Sequence, residues 1–328
     1  MLTKETTTTY RSFRGEADYQ NMVDIINGSK DADGLEATST IADIANEYTH
    51  LKNCDPYTDM VFAEVDGETV GYGRCWWEEQ IGGPRVYSLF ARVLPEHRHS
   101  DIRREILQRM EARIREISAN HPTQDEKVLQ AGALETETHW SQLLTSEGYD
   151  IVRYGLKMVR PNWDNIPDCP IPAGINIRVG GTADIYRQVW DAACEAFRDN
   201  WGESECTDVE FFEWQGQLTF QPSLWCLAWD GDEIAGGVLN FIKHAENEEY
   251  GRKRGYTETI FVRRPWREQG LAKALIAHSF SVHQQAGMTE AALGLDADNL
   301  SGALYLYRKM GFREIKRSML YRKPLWTD

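Results

Sequence analysis

Three segments of this chain recur in the same order about 165 residues further on. Phe62–Gly73 matches Leu227–Val238, and each reads as a strand, an Asp-Gly turn and a second strand. Phe90–Ala112 matches Ile260–Phe280, and Thr145–Pro161 matches Arg308–Pro324. A repeat this long is one fold written twice, not a solenoid of short units. The 328 residues suggest two domains of ordinary size.

The first half has helical patterns over Glu16–Asn27 and Thr38–Leu51, then the hairpin and a strand at Val86–Val93. A helix at Ile102–Ile117, a strand at Lys127–Ala133, a short helix at Ser141–Ser146 and a strand at Ile151–Val159 complete it. Residues 161–173 contain four prolines, which forbid a helix and mark an extended linker. The second half repeats the order: strand Ile175–Val179, helices Ala183–Arg198 and Asp208–Trp214, strands Leu224–Trp229 and Ile234–Ile242. A polar loop over His244–Arg254 leads to strand Thr257–Val262, helix Leu271–Gln285, strand Ala291–Leu295, helix Ser301–Met310 and strand Glu314–Arg322. The order β-α-α-β-β-β-α-β-α-β is an α/β (α+β) layer with a mixed sheet. The domains are read as 1–160 and 174–328.

Ile260–Phe280 carries the clearest chemical signal. It reads as a strand, a basic turn and a helix opening on Gly270. N–H groups in the first turn of a helix have no intrahelical partner, and the dipole adds positive potential there. Gly270 lets a phosphate reach the main chain with no Cβ in the way. The loop from Arg267 through Glu268, Gln269, Gly270, Leu271 and Ala272 is therefore an anion cradle, and Arg263, Arg264, Arg267 and Lys273 cluster round it. It is neither the Rossmann G-x-G-x-x-G nor the P-loop pattern, which disfavours a nicotinamide enzyme.

The net charge of −15 disfavours nucleic acid and anionic membrane as partners. No apolar run is long enough to span a bilayer, and the N-terminus has no signal-peptide core. Six scattered cysteines without a C-x-x-C pair are expected to be reduced thiols in a cytoplasmic protein, with no metal site.

Val262-x4-Arg267-x-x-Gly270-x-Ala272 resembles motif A of the GNAT superfamily of acyl-CoA-dependent N-acyltransferases. Asn299 to Phe312, with Gly302-Ala303, Leu306-Tyr307 and Gly311-Phe312, resembles its motif B. The layout is similar to tandem-domain members of the mycothiol synthase type. The resemblance implies two domains, each a mixed, mostly antiparallel sheet flanked by helices, with one splayed pair of parallel strands. In the first half the motif A glycine is Asp101 and the small residue is Arg103, so that domain is expected to lack a normal acyl-CoA site.

For the second half the resemblance implies an N-acetyltransferase using acetyl-CoA as co-substrate, acting on a small-molecule amine as a monomer or homodimer. Backbone groups of Phe261, Val262 and Arg263 would pair with the pantetheine arm. The loop N–H groups would take the pyrophosphate, with charge from Arg267 and Lys273. Asn299 would contact pantetheine, or serve as a plain helix N-cap. Tyr307 is the candidate acid for the thiolate. Glu258 is the candidate base, with Tyr256 or a water relay as alternatives. Alternation along one strand would put Tyr256, Glu258, Ile260 and Val262 on one face. Phe197, Trp201, Glu203 and Tyr256 are candidate acceptor contacts, with Trp214, Asp199 and Glu205 nearby. Aromatics with carboxylates would suit a cationic amine, although Phe197 and Trp214 equally fit a core. The stretch Glu246–Arg254 could cover the cleft. A binder of acyl-CoA that transfers nothing is the alternative function.

Overall fold

The computed structural model describes residues 7–36, 38–123, 125–298 and 302–326. The chain forms two compact units. One comprises Met1–Val152 with Met319–Asp328, and the other Arg153–Ser318.

The first unit opens with β1 (Thr8–Arg11), α1 (Tyr19–Gly28), the one-turn α2 (Lys30–Asp33) and α3 (Ile41–Thr49). The Thr40 hydroxyl accepts from the Asp43 N–H, and the Asp43 carboxylate accepts from the Thr40 N–H; this capping box starts α3. Next come β2 (Met60–Val65), β3 (Glu68–Glu79), β4 (Arg85–Val93), α4 (Ile102–Ser118), β5 (Lys127–Leu134) and α5 (Thr138–Ser146). β1 to β4 form an antiparallel meander. β4 then runs parallel to β5 from Arg85–Lys127 to Ser88–Gln130. Beyond Ser88 the pairing ends, so the parallel strands part there. Ile106, Leu107, Met110 and Ile114 of α4 bury one helical stripe against β3 and β4.

The chain continues through β6 (Asp150–Arg160) and β7 (Ile175–Val179). No helix or strand lies between them, and this proline-bearing stretch belongs to the second unit, where the Trp163 indole donates to the Met288 carbonyl. Then follow α6 (Tyr186–Phe197), α7 (Asp208–Gly216), β8 (Cys226–Asp230), β9 (Glu233–Val238), β10 (Phe241–Ile242), α8 (His244–Glu249), β11 (Arg254–Tyr256), β12 (Phe261–Val262), α9 (Leu271–Gln285), β13 (Glu290–Asp296), α10 (Ala303–Lys309) and β14 (Arg313–Pro324).

The unit boundaries fall inside β6 and β14. Residues 155–160 of β6 pair antiparallel with β13 in the second unit. Residues beyond Met319 complete the first unit, where the Leu325 N–H reaches the Lys127 carbonyl. Each unit therefore closes with a strand from the other half of the sequence.

The sequence reads one strand over Thr257–Val262; the structure divides it. β11 pairs parallel with β13 from Arg254–Glu290 to Tyr256–Ala292, and the Thr257 N–H extends this to the Ala292 carbonyl. The chain then breaks, with Thr259 at φ 47°, and resumes as β12 on β9. That switch of partner opens the gap between parallel strands. It also breaks the simple alternation: Tyr256 and Thr257 are both buried. The stretch expected to be a cover loop is partly α8. Its Glu246 and Asn247 are buried, and the Asn247 amide exchanges hydrogen bonds with the Arg254 backbone.

Candidate active site

The cradle begins where β12 ends. One 3-10 turn, Arg264–Trp266, leads to Glu268 at φ 61° and Gly270 at φ 87°. Glu268 holds a left-handed conformation that side chains adopt at a cost, whereas Gly270 adopts it freely. No described residue accepts from the N–H groups of Glu268, Gln269, Gly270, Leu271 or Ala272. A Cβ built on Gly270 would meet only open space, so the loop faces a void. Unpaired N–H groups at the start of a fifteen-residue helix, α9, fit a phosphate chain.

The arginines expected to add charge are engaged elsewhere. The Arg267 guanidinium donates to the Val262 and Ala196 carbonyls and lies 3.6 Å from Asp199. Arg264 pairs with Asp199, and Arg263 with Glu195 at 2.7 Å. They fix the turn against α6. Lys273 is exposed in the first turn of α9 and has no ion pair among the described residues. Asn299 lies outside the described residues. Phe261 is buried and Val262 half-buried on β12, where Arg263 extends the pairing through its N–H to the Ala235 carbonyl.

Glu258 and Tyr307 converge at the gap. The Gly294 N–H donates to Glu258 Oε1 at 3.0 Å. Desolvation raises the Glu258 carboxyl to about 7, against the opposing pull of that hydrogen bond and of Lys157 and Lys243. Tyr307, on α10, is buried with a hydroxyl that bonds no described residue. Burial and then the facing Glu258 push its phenol up to about 12. A carboxyl poised near neutrality beside a neutral phenol is a base and an acid held apart in pKa. Tyr256 is differently placed. Its phenol donates to buried Glu246 and its ring stacks on Phe241 at 5.0 Å, 8° from parallel; burial, then that bond, raises its pKa.

The acceptor candidates separate. Phe197 packs edge-on to Phe261 and Trp214 stacks on Trp225, so both join the core behind α6. Trp201 is 42% exposed beneath the Arg153 guanidinium. Glu203 is half-buried in the same loop. Asp199 is paired with Arg264 and Glu205 with Arg198, so arginines engage two of the three carboxylates expected near a cationic acceptor. The sequence reading missed Gly294, Lys157 and Lys243. Lys157 lies in the first half of the sequence, opposite Gly294 in the β6–β13 register, and only strand pairing reveals it.

The cysteine expectation is corrected. Cys194 and Cys206 form a disulfide with Cα atoms 6.3 Å apart, while Cys54, Cys75, Cys169 and Cys226 are free. The loop after α6 doubles back, bringing together residues that a spacing of 12 does not mark as partners. No helix among the described residues is long and apolar enough to cross a membrane.

The sequence pattern of the Acetyltransferase (GNAT) family matches residues 186–312, which span the cradle and both poised residues. A GCN5-related N-acetyltransferase from Sphaerobacter thermophilus superposes with a TM-score of 0.73 at 25% identity, over 98% of this chain and 96% of its own. This chain belongs to the GNAT superfamily. It is a tandem member and an N-acetyltransferase. A tandem GNAT protein from the clavulanic acid biosynthesis pathway shares the fold over 99% of this chain and 100% of its own, with a TM-score of 0.68 at 13% identity. A mycothiol acetyltransferase of Geodermatophilus obscurus is 25% identical over 297 residues, 88% of each chain.

Proposed function

We propose that the Arg153–Ser318 unit transfers an acetyl group from acetyl-CoA to the primary amine of a small metabolite. The observation that carries this is a carboxyl raised to about 7 facing a buried phenol that bonds no described residue, in the same unit as an open N–H cradle. When bound, acetyl-CoA supplies an activated thioester. The free N–H groups from Glu268 to Ala272 hold its pyrophosphate, aided by the helix dipole and by Lys273. Arg267 acts indirectly, by holding the loop in shape through the Val262 and Ala196 carbonyls. The backbone edge of Phe261–Arg263 takes the pantetheine arm.

Glu258 takes the amine proton, which makes the nitrogen lone pair available for attack. The Gly294 N–H keeps the carboxylate aimed while desolvation keeps it basic. We assign this role to Glu258 over Tyr256, because the Tyr256 phenol is committed to Glu246. The Tyr307 hydroxyl gives its proton to the departing sulfur. Isothermal titration with acetyl-CoA, followed by thiol release with an amine panel, tests the reading. One site per chain and amine-dependent release are expected. Absence of acetyl-CoA binding would overturn it, and unchanged turnover in Tyr307→Phe would remove the acid assignment.

A further inference from the structure

The clamp on the turn before α9 differs from its counterpart before α4. In the first half, Arg98 makes a two-pronged pair with Asp33, in the segment between α1 and α3. That carboxylate is buried, and the Asp33 carbonyl accepts from the Thr136 hydroxyl. In the second half the matching contact is exposed. Asp199 lies in the loop between α6 and α7, where it takes Arg264 and, at 3.6 Å, Arg267. The Arg198–Glu205 pair in the same loop is exposed as well. Exposed ion pairs hold a loop weakly.

What the second half adds is covalent. Cys194, in the last turn of α6, is bonded to Cys206, the residue before the Thr207 N-cap of α7. Residues 29–40, the corresponding segment of the first half, contain no cysteine. The bridge closes a short loop that carries Asp199, and it limits how far that carboxylate can move from Arg264 and Arg267. Arg267 in turn shapes the turn that ends in Gly270, through the Val262 and Ala196 carbonyls. Cys206 is exposed and Cys194 half-buried, so one sulfur of the bridge can be reached from solvent.

Resting on the acetyl-transfer reading above, we propose that Cys194–Cys206 is a thiol–disulfide exchange site that sets the affinity for acetyl-CoA. Bridged, the loop clamps the cradle turn; reduced, it releases it. The reactant is a dithiol. Its thiolate attacks the exposed Cys206 Sγ, the S–S bond breaks, and Cys194 leaves as a thiolate and takes a proton. The second thiol then attacks the mixed disulfide and frees Cys206. The protein gains two electrons and two protons, and the dithiol becomes a cyclic disulfide. Loosening the loop lowers the population of the binding-competent turn, and apparent affinity falls by the same fraction.

The test takes the full chain bridged, then reduced with dithiothreitol, then reoxidised with oxidised glutathione, with the small molecules removed each time. Iodoacetamide under denaturing conditions should label Cys54, Cys75, Cys169 and Cys226 in the bridged protein and all six cysteines after reduction. Calorimetry with acetyl-CoA is expected to give one site per chain throughout, with Kd roughly tenfold higher after reduction and restored by reoxidation. Cys194→Ser/Cys206→Ser should show the higher Kd and ignore dithiothreitol. Asp199→Ala, which cuts the link between loop and arginines, should narrow the difference between the two states to about threefold or less. Labelling of Cys194 and Cys206 without reductant overturns the proposal, as does a Kd that reduction leaves unchanged. A reductant effect that persists in the double serine variant overturns it too. So does a loss of binding sites, rather than of affinity, on reduction, since the bridge would then hold the fold and not the turn. In each of these cases wild type still binds acetyl-CoA before reduction and the acetyl-transfer reading stands, whereas no binding in any state sinks both.

Discussion

The two sequence halves build the same gap and treat it in opposite ways. In the second, Gly270 and Ala272 leave the cradle open, with Glu258 and Tyr307 beside it. Aligned through Arg98 and Arg267, the first half has Asp101 and Arg103 at the loop positions and Leu89 in place of Glu258. Aligned through Gly148 and Gly311, it has Leu144 in place of Tyr307. Both leucines are buried. Arg103 extends into its own gap: Nε donates to the Ala91 carbonyl at 2.9 Å, and the guanidinium lies 4.5 Å from the Trp140 ring and near Glu137. The Trp140 indole in turn donates to the Gly132 carbonyl on β5. The first gap is thus filled by the chain's own side chains, and desolvation lowers the Arg103 pKa to about 10.

One residue is used alike in both. Arg98 Nε donates to the Val93 carbonyl at 3.0 Å, and Arg267 Nε to the Val262 carbonyl at 3.0 Å. Arg98 then makes a two-pronged pair with Asp33, while Arg267 reaches Ala196 and Asp199. In both halves the motif arginine therefore holds the turn itself.

Copying the first half onto the second gives the largest expected effect. Glu258→Leu/Tyr307→Leu should lower turnover by about 10³-fold or more, since acid and base catalysis are both removed. Acetyl-CoA should still bind, because the N–H cradle is untouched. Stopped turnover with intact binding, seen by thiol release and calorimetry, sharpens the contrast; residual turnover within tenfold breaks it.

Next is Gly270→Asp, which copies Asp101. It sets a side chain at φ 87° and a carboxylate at the phosphate position. The acetyl-CoA Kd should rise by about 100-fold. Wild type should titrate at one site per chain; two sites would show that Arg103 does not close the first gap.

The arginine pair should show a smaller effect, on stability. Arg98→Ala removes a two-pronged bond to a carboxylate only 5% exposed, at a cost of about 2 kcal/mol. Arg267→Ala, whose side chain is 39% exposed, should cost about 1 kcal/mol. Denaturant unfolding checks both. A Kd change in Arg267→Ala as large as that in Gly270→Asp would return the arginine to the ligand.

Much of this was legible in the chain. The repeat, the hairpins and the glycine loop follow from short-range pattern, and strand and motif position single out Glu258 and Tyr307, which the fold brings within electrostatic reach of each other. What was not legible depends on distant pairing. The split at Thr259 arises because two sheets compete for one segment, and no local propensity encodes that. Lys157 enters the second unit only because β6 pairs with β13. Arg267 was read as a phosphate ligand from its position, but carbonyl acceptors at Val262 and Ala196 decide where its side chain goes. Cys194 and Cys206 meet through the path of the loop after α6, which their spacing does not show.

The smallest effect concerns what the working gap costs. Leu89 fills its position with apolar surface, whereas Glu258 places a carboxyl where desolvation raises it to about 7. In the unfolded chain that carboxyl ionises near its ordinary value of 4.5. Between those values the folded state holds a proton that the unfolded state has released. The Glu258 contribution to stability therefore falls as pH rises from 4.5 to 7, and stays low above. Glu258→Gln cannot titrate and should gain on wild type across that window, by roughly 1–2 kcal/mol at pH 8 once partial exposure is allowed for. Unfolding of both proteins at pH 5 and pH 8 measures it. A gap that widens with pH shows that the second half keeps a strained base where the first has relaxed to leucine. A gap independent of pH would mean that the carboxyl titrates normally, and the contrast between Glu258 and Leu89 would then be one of shape alone.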